Sequence, residues 1–491
     1  MWPHTARPTD LRGRLTAAID SVLSERPVGR VRSALEGAGE SAWIVGGTIR
    51  DSLLHRRVTD VDVAVMGDAE AAARRVAEAI GGPVFPLSEA FGAWRAIDPR
   101  DEFVCDVSPL HGGDIDADLA QRDFTVNAMA LPIDGGELVD PHGGRRDLGA
   151  GVLRVLGEHA YAADPLRPLR LARLAAELPL VPDADTERLT RAAASRVTQA
   201  SGERVFAELR RLLAADRALA ALELADRLGL VAAVLPEVEA LRGVEQSQFH
   251  HLDVHRHTID VLRNQIELER RLGEVFGDDG AAVGEILERP LADEMTRREG
   301  LRLAALLHDV AKPATRGTRP DGRVTFIGHD ALGAEVVTAI CRRLRTSARV
   351  AQFLAAITRH HLVLGFLVHE RPLARAAVYR YLTTCDPVEV EVTVLSCADR
   401  LATRGRGAEA AIEAHLELAR EMMPHALRWR AEGPPRPPVR GDELAAAVGI
   451  DPGPELGELL ARLRVACFTG EVATRDEAIA YARRLRNNPQ R

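Results

Sequence analysis

Lysine is almost missing from this chain. Of 64 Lys plus Arg residues only Lys312 is a lysine, and Ala311 and Pro313 flank it. A phosphate-binding P-loop needs Gly-Lys-Ser/Thr and is therefore excluded. A protein kinase needs a lysine on an early strand and is excluded too. Schiff-base chemistry would have one candidate. Aromatic residues are 4% of the chain, which argues against base stacking on a series of aromatic platforms. The five cysteines (105, 341, 385, 397 and 467) include no CxxC pair, so reduced thiols are expected and a zinc ribbon is not. The first residues, MWPHTARPTDLRGRL, contain no apolar signal core, and no apolar run reads as a membrane span, so a cytoplasmic location without membrane contact is expected. A net charge of −8 excludes a globally basic nucleic-acid coat but leaves room for a local arginine-lined surface.

At 491 residues the chain exceeds one ordinary core. Residues 11–40 read as helical. Over 42–150, short β-like runs (AWIVGG, TDVDVAVMG, EFVCDVSPL, VNAMALPI) alternate with an alanine-rich helix at 69–80. From about 158, Leu and Ala recur at helical spacing through 166–178, 203–214 and 217–234. Residues 252–400 continue mostly helical, GPPRPPVRG (433–441) is a linker or turn, and 442–487 reads as two or three helices. The expectation is an α/β head followed by all-α domains.

Thr59 to Val65 is a candidate strand. Asp60 and Asp62, two apart, share one face while Val61, Val63 and Val65 point to the core. Two adjacent carboxylates repel unless a cation lies between them, and Mg²⁺ prefers such oxygen ligands. A solvated edge strand carrying two acids is the bland alternative. Upstream, Ile44 to Asp51 reads as strand, Gly46-Gly47, then helix, with Thr48 a plausible N-cap. Glycines there admit a polyphosphate to the backbone at a helix start. Asp106, on another candidate strand, is a candidate third carboxylate. Three carboxylates with two Mg²⁺ suit in-line nucleotidyl transfer.

GGTIRDSLLHRRVTDVDVAVMG closely resembles the signature of the class II tRNA nucleotidyltransferase and bacterial poly(A) polymerase family. The resemblance implies a polymerase-β-like head with a mixed sheet, a helical neck and a helical tail. It implies catalytic Asp60, Asp62 and Asp106, with Gly46, Gly47 and Arg50 at the nucleotide. Arg122-Asp123-Phe124-Thr125-Val126-Asn127 resembles the ribose motif, so Arg122, Asp123 and Asn127 are expected at sugar and phosphates. Asp140 to Gly144 with Asp147 resembles a hinge motif. Asp164, Arg167 and Arg170 resemble the base-reading motif, although Ala163 stands where the family usually has Glu. Asp164 and Arg167, at i and i+3, suit the amino donor and ring-nitrogen acceptor that cytosine and adenine share. Capping by Asp164 ahead of Pro165 is the structural alternative. Only 15 residues separate Asp106 from Arg122, and so short a connection resembles the branch that adds only CC.

Histidine is concentrated: nine of 16 lie between 250 and 369. His257, His308-Asp309 and Asp399 resemble the HD phosphohydrolase superfamily, implying a second divalent metal on those four residues. His329, with His360 or His361, is implied for a further ion. Lys312 fits HDxxK and would bind a phosphate. The expected domains are an N-terminal helix (1–24), head (25–150), neck (151–245), HD domain (246–405) and tail (406–491). The implied activity is Mg²⁺-dependent addition of CCA, or only CC, to the tRNA 3′ end from CTP and ATP. Poly(A) polymerase, and a phosphohydrolase whose head merely binds nucleotide, are the rivals.

Overall fold

The computed structural model describes residue 22 and residues 26–37, 41–88, 92–100, 102–246, 252–404 and 407–487. The helix expected over 1–24 lies outside the described residues except at Val22. The chain divides into two compact units, Met1–Val234 and Leu235–Arg491.

The first unit is built on a six-stranded mixed sheet in the order β3-β4-β5-β2-β1-β6. Its strands are β1 Ala42–Val45, β2 Asp60–Val65, β3 Val84–Ser88, β4 Ala93–Ile97, β5 Val104–Pro109 and β6 Ala130–Pro132. Within this sheet, among the described residues, only β2 and β5 run parallel, and their register sets Asp62 opposite Asp106. Val61, Val63, Ala64 and Val65 are at most 1% exposed, so β2 is covered on both faces and its carboxylates emerge at its N-terminal end. The motif VNAMALPI contributes less strand than expected, since Thr125–Asn127 is a 3₁₀ turn. Conversely β3 and β4 were not legible: Pro86 and Gly92 interrupt the alternation that marks a strand.

Helix α1 (Arg26–Leu35) precedes the sheet and α2 (Gly47–Leu53) follows β1. Helix α3 (Ala69–Ile80) has the expected bounds: the Asp68 carboxylate accepts from the Ala71 N–H, and Gly81 closes it in the left-handed region. Two later helices frame the site, α4 (Arg167–Glu177) and α5 (Gly202–Ala214).

The second unit is helical. Helix α6 (Val254–Glu269) packs on α7 (Arg297–Leu307) and α10 (Glu389–Ala402), and α8 (His329–Leu344) packs on α9 (Ala348–His360). Helix α11 (Ala408–Glu432) leads through GPPRPPVRG to three tail helices, Gly441–Val448, Pro454–Thr469 and Arg475–Asn487, which share an apolar cluster around Leu444, Leu463 and Ala478. The stretch Ala348–Glu370 is long and apolar enough by composition to cross a membrane, contrary to expectation. It is not one helix: α9 ends at His360, and short turns follow. Its apolar residues Val350, Leu354 and Ile357 are buried within this unit.

Candidate functional site

The first site forms where β1, β2 and α2 meet. Gly46 has φ +68°, a conformation that costs any L side chain, and a Cβ there would lie 3.2 Å from Asp62 Oδ2 and 3.5 Å from Arg122 Nη1. Glycine here suits both the left-handed backbone and the closeness of the Asp62 and Arg122 side chains, a different demand from the phosphate approach expected of the Gly-Gly pair. Thr48 does not cap the helix; the N-cap is Gly46 and has no side-chain bond. The Thr48 hydroxyl instead donates to the Asp60 carbonyl (3.0 Å) and accepts from the Asp62 N–H (2.8 Å), clamping the strand that carries both carboxylates.

Asp60 is exposed, whereas burial lifts the Asp62 carboxyl to about 6, with Asp106 and Asp60 adding to the rise and Arg122 opposing it. A desolvated carboxylate between two others, only partly offset by Arg122 and Arg50, favours a cation close to it. Asp106 sits beside Asp62 in register, but Arg95 on β4 holds both of its oxygens at 2.7 Å. Arg95 escaped the sequence reading because β4 did.

A cleft of about 380 Å³ opens here. Among the expected residues, Gly46, Gly47, Arg50, Asp60, Asp62, Arg122, Asp123, Asn127, Arg167 and Arg170 line it; Asp106 and Asp164 do not. A polar chain runs along it. Arg50 Nη1 donates to Asn127 Oδ1 (2.6 Å), and Asn127 Nδ2 donates to Asp123 Oδ1 (2.9 Å). Asp123 Oδ2 faces Arg170 Nη1 (3.1 Å), and Glu208 on α5 receives both Arg170 and Arg173. Burial works to raise Asp123, yet Arg170 and Asn127 hold it below the usual carboxylate range.

Asp164 is not on the helix face with Arg167. Helix α4 begins at Arg167, and Asp164 is extended, accepting from the Leu166 N–H (3.1 Å) and from Arg204 (2.7 Å). Pro165 therefore precedes the helix rather than opening it. Arg167 donates through Nη1 and Nη2 to the carbonyls of Arg122, Ala160 and Gln121, which leaves its buried Nε–H without a partner.

The second site is assembled from helix ends. His257 lies in the first turn of α6, His308 closes α7, His329 opens α8, His361 follows α9, and Asp399 is near the end of α10. His257, His308 and Asp309 converge, as do Asp309, His329 and His361, so Asp309 belongs to both trios. His361, not His360, joins the cluster; His360 ends the helix on its less buried side. His257 Nε2 is 3.0 Å from Asp399 Oδ1. The Nδ1 atoms of His308, His329 and His361 bond the carbonyls of Ala305, Phe326 and Thr358 at 2.6–2.9 Å. Each Nε2 is thereby aimed inward, the arrangement typical of metal-binding imidazoles. His308 Nε2 and both Asp309 oxygens are buried without a hydrogen-bond partner; Lys312 Nζ, 2.7 Å from Asp309 Oδ2, is a charge contact outside bonding geometry. Lys312 is not on the same helix as His308 but opens a separate short one. Burial pushes His361 down to about 4, keeping it neutral, while His308 and Lys312 hold Asp309 far below its usual range despite burial. Orphaned oxygen and imidazole donors fit a divalent cation.

A family model described as the poly(A) polymerase head domain matches residues 42–106 and 95–154. Another, described as a probable RNA and SrmB-binding site of polymerase A, matches 181–241, and an HD domain matches 255–404. The A-adding tRNA nucleotidyltransferase of Deinococcus radiodurans is 36% identical over 93% of this chain and 98% of its own length. The CC-adding tRNA nucleotidyltransferase of Thermus thermophilus is 34% identical, covering 90% and 93%. The fold matches a Thermotoga maritima CCA-adding enzyme solved with tRNA, with a TM-score of 0.62 and 20% identity over 95% of this chain and 98% of that one.

Proposed function

The chain belongs to the tRNA nucleotidyltransferase family, and on that premise we propose that it transfers CMP, AMP or both from CTP and ATP to the tRNA 3′ end. The observation that carries this is the meeting of Asp60, Asp62, the Gly46 turn and the Arg50–Asn127–Asp123–Arg170 chain in one cleft. The 3′-hydroxyl oxygen attacks the α-phosphorus, its proton is lost, and pyrophosphate leaves. Asp60 and Asp62 fit Mg²⁺ by donor type, which when bound would activate the hydroxyl and neutralise the triphosphate. Thr48 keeps both carboxylates in register. Asp123 and Asn127 orient the sugar, with Arg50 and Arg170 holding them. Arg167 lines the cleft with its guanidinium pinned by three carbonyls, so donating to the ring nitrogen of cytosine or adenine exchanges one of those bonds for the base. Asp164 is engaged by Arg204, so it supports the base pocket from behind rather than from its lining.

The test uses the full chain, Mg²⁺ and tRNA ending before, within or after CC. Supplying CTP, ATP or both and sequencing the products should give incorporation that stops within CCA. Long adenosine tails would favour poly(A) synthesis, and absence of incorporation would end the proposal. Incorporation from CTP alone matches the short Asp106–Arg122 connection; incorporation from ATP alone onto tRNA ending in CC matches the A-adding relative.

A second activity is proposed for the HD cluster. The orphaned Asp309 oxygens support a two-cation centre on His257, His308, Asp309, Asp399, His329 and His361 that hydrolyses phosphoesters. Opening of 2′,3′-cyclic nucleoside phosphates to the monoester, or release of phosphate from terminal nucleoside monophosphates, with added Mn²⁺ or Ni²⁺ and lost on His308→Ala, tests it.

A further inference from the structure

Seven arginines line the first cleft. Arg50 faces Asp51, Arg122 faces Asp118, Arg170 and Arg173 share Glu208, and Arg211 faces Glu177. Arg167 is spent on backbone carbonyls. Their charges are largely balanced before any ligand arrives. Arg57 alone has neither an ion pair nor a hydrogen bond among the described residues, and it is exposed. Its position is nonetheless defined. Arg56 before it bonds the Glu177 carbonyl through its side chain (2.5 Å) and the Asp51 carbonyl through its N–H (2.9 Å). Val58 after it is 4% exposed, and Asp60 begins β2 two residues later. A solvated surface arginine needs no such anchoring on both sides.

We propose that Arg57 is the cation this cleft reserves for a phosphate of its substrate, either on the nucleoside triphosphate or on the terminal nucleotides of the RNA. The inference rests on the nucleotidyl-transfer reading. An unpaired guanidinium is the group able to gain a charge-assisted bond without first breaking one, and the anchored backbone lowers the ordering cost.

Arg57→Ala and Arg57→Lys are compared with wild type as full chains, varying CTP and CCA-less tRNA separately. The expected result for Ala is a KM raised about tenfold for one substrate, the worth of roughly one such bond, with partial recovery in Lys. A triphosphate contact raises the KM for CTP and the inhibition constant of inorganic tripolyphosphate together. An RNA contact raises the KM for tRNA and lowers the slope of its logarithm against log[KCl] by about 0.7–0.9. Both KM values within twofold of wild type, or a fall in kcat alone, would overturn the proposal. A wild type that incorporates nothing would count against nucleotidyl transfer instead; direct binding of tripolyphosphate and of tRNA to wild type and Arg57→Ala would still decide the role of Arg57.

Discussion

At the scale of single residues, the head separates carboxylates that look equivalent in the sequence. Asp62 lines the cleft and is desolvated, whereas Asp106 beside it is neutralised by Arg95. Asp62→Ala is expected to cut CTP incorporation by about 10³-fold, and Asp106→Ala by only about tenfold. Equal losses in a steady-state assay would show that the Arg95 pair opens during turnover. Thr48 carries a second prediction. Thr48→Val leaves the Asp60 carbonyl and the Asp62 N–H unpaired, costing about 1–3 kcal/mol in urea unfolding. It should also raise the Mg²⁺ concentration needed for half-maximal activity severalfold, and Thr48→Ser should restore both. A loss of stability without a change in the Mg²⁺ titration would reduce Thr48 to a packing residue.

At the scale of elements, α5 lines the cleft with Arg211 and supports it from behind with Glu208. Glu208 is 7% exposed and lies between Arg170 and Arg173, so Glu208→Gln removes one of two counter-charges from each, leaving Asp123 to Arg170 and Glu177 to Arg173. The expected cost is about 1.5–3 kcal/mol in urea unfolding, that of charge-assisted bonds weakened, with a raised KM for nucleotide as Arg170 loosens from Asp123. A cost under about 1 kcal/mol would mean that water already shields the trio. Element by element, legibility follows local pattern. Helix α3 announces itself by Asp68, an apolar stripe and Gly81. β2 announces itself by alternation. β3 and β4 do not, because their stability comes from pairing across the sheet and not from their own residues.

At the scale of the whole molecule, the helical unit gathers four histidines and two aspartates from five helices. With the Asp309 oxygens and His308 Nε2 unsatisfied, a cation bound there would be a stabilising ligand. Saturation to about 100 times Kd adds about 2.7 kcal/mol, so Mn²⁺ added to the chelator-stripped chain should raise the melting temperature by roughly 5–10 °C. His308→Ala/Asp309→Ala should abolish that rise and leave CTP incorporation within about twofold of wild type. A melting curve indifferent to metal would show that the cluster holds no stabilising cation.

Residue order alone determined the α/β head with its carboxylate strand, the helical remainder, and the spacing His257, His308-Asp309, Asp399. These are signals of local period and of side-chain chemistry, which the chain carries wherever it folds. Only tertiary structure decided that Arg95 occupies Asp106, that Arg204 occupies Asp164, that Thr48 clamps a strand rather than caps a helix, and that His361 rather than His360 faces Asp309. The last choice shows why. Adjacent residues at a helix end point about 100° apart, and which of the two meets Asp309 depends on how α9 is rotated against its neighbours, a quantity set by packing and absent from the order of residues.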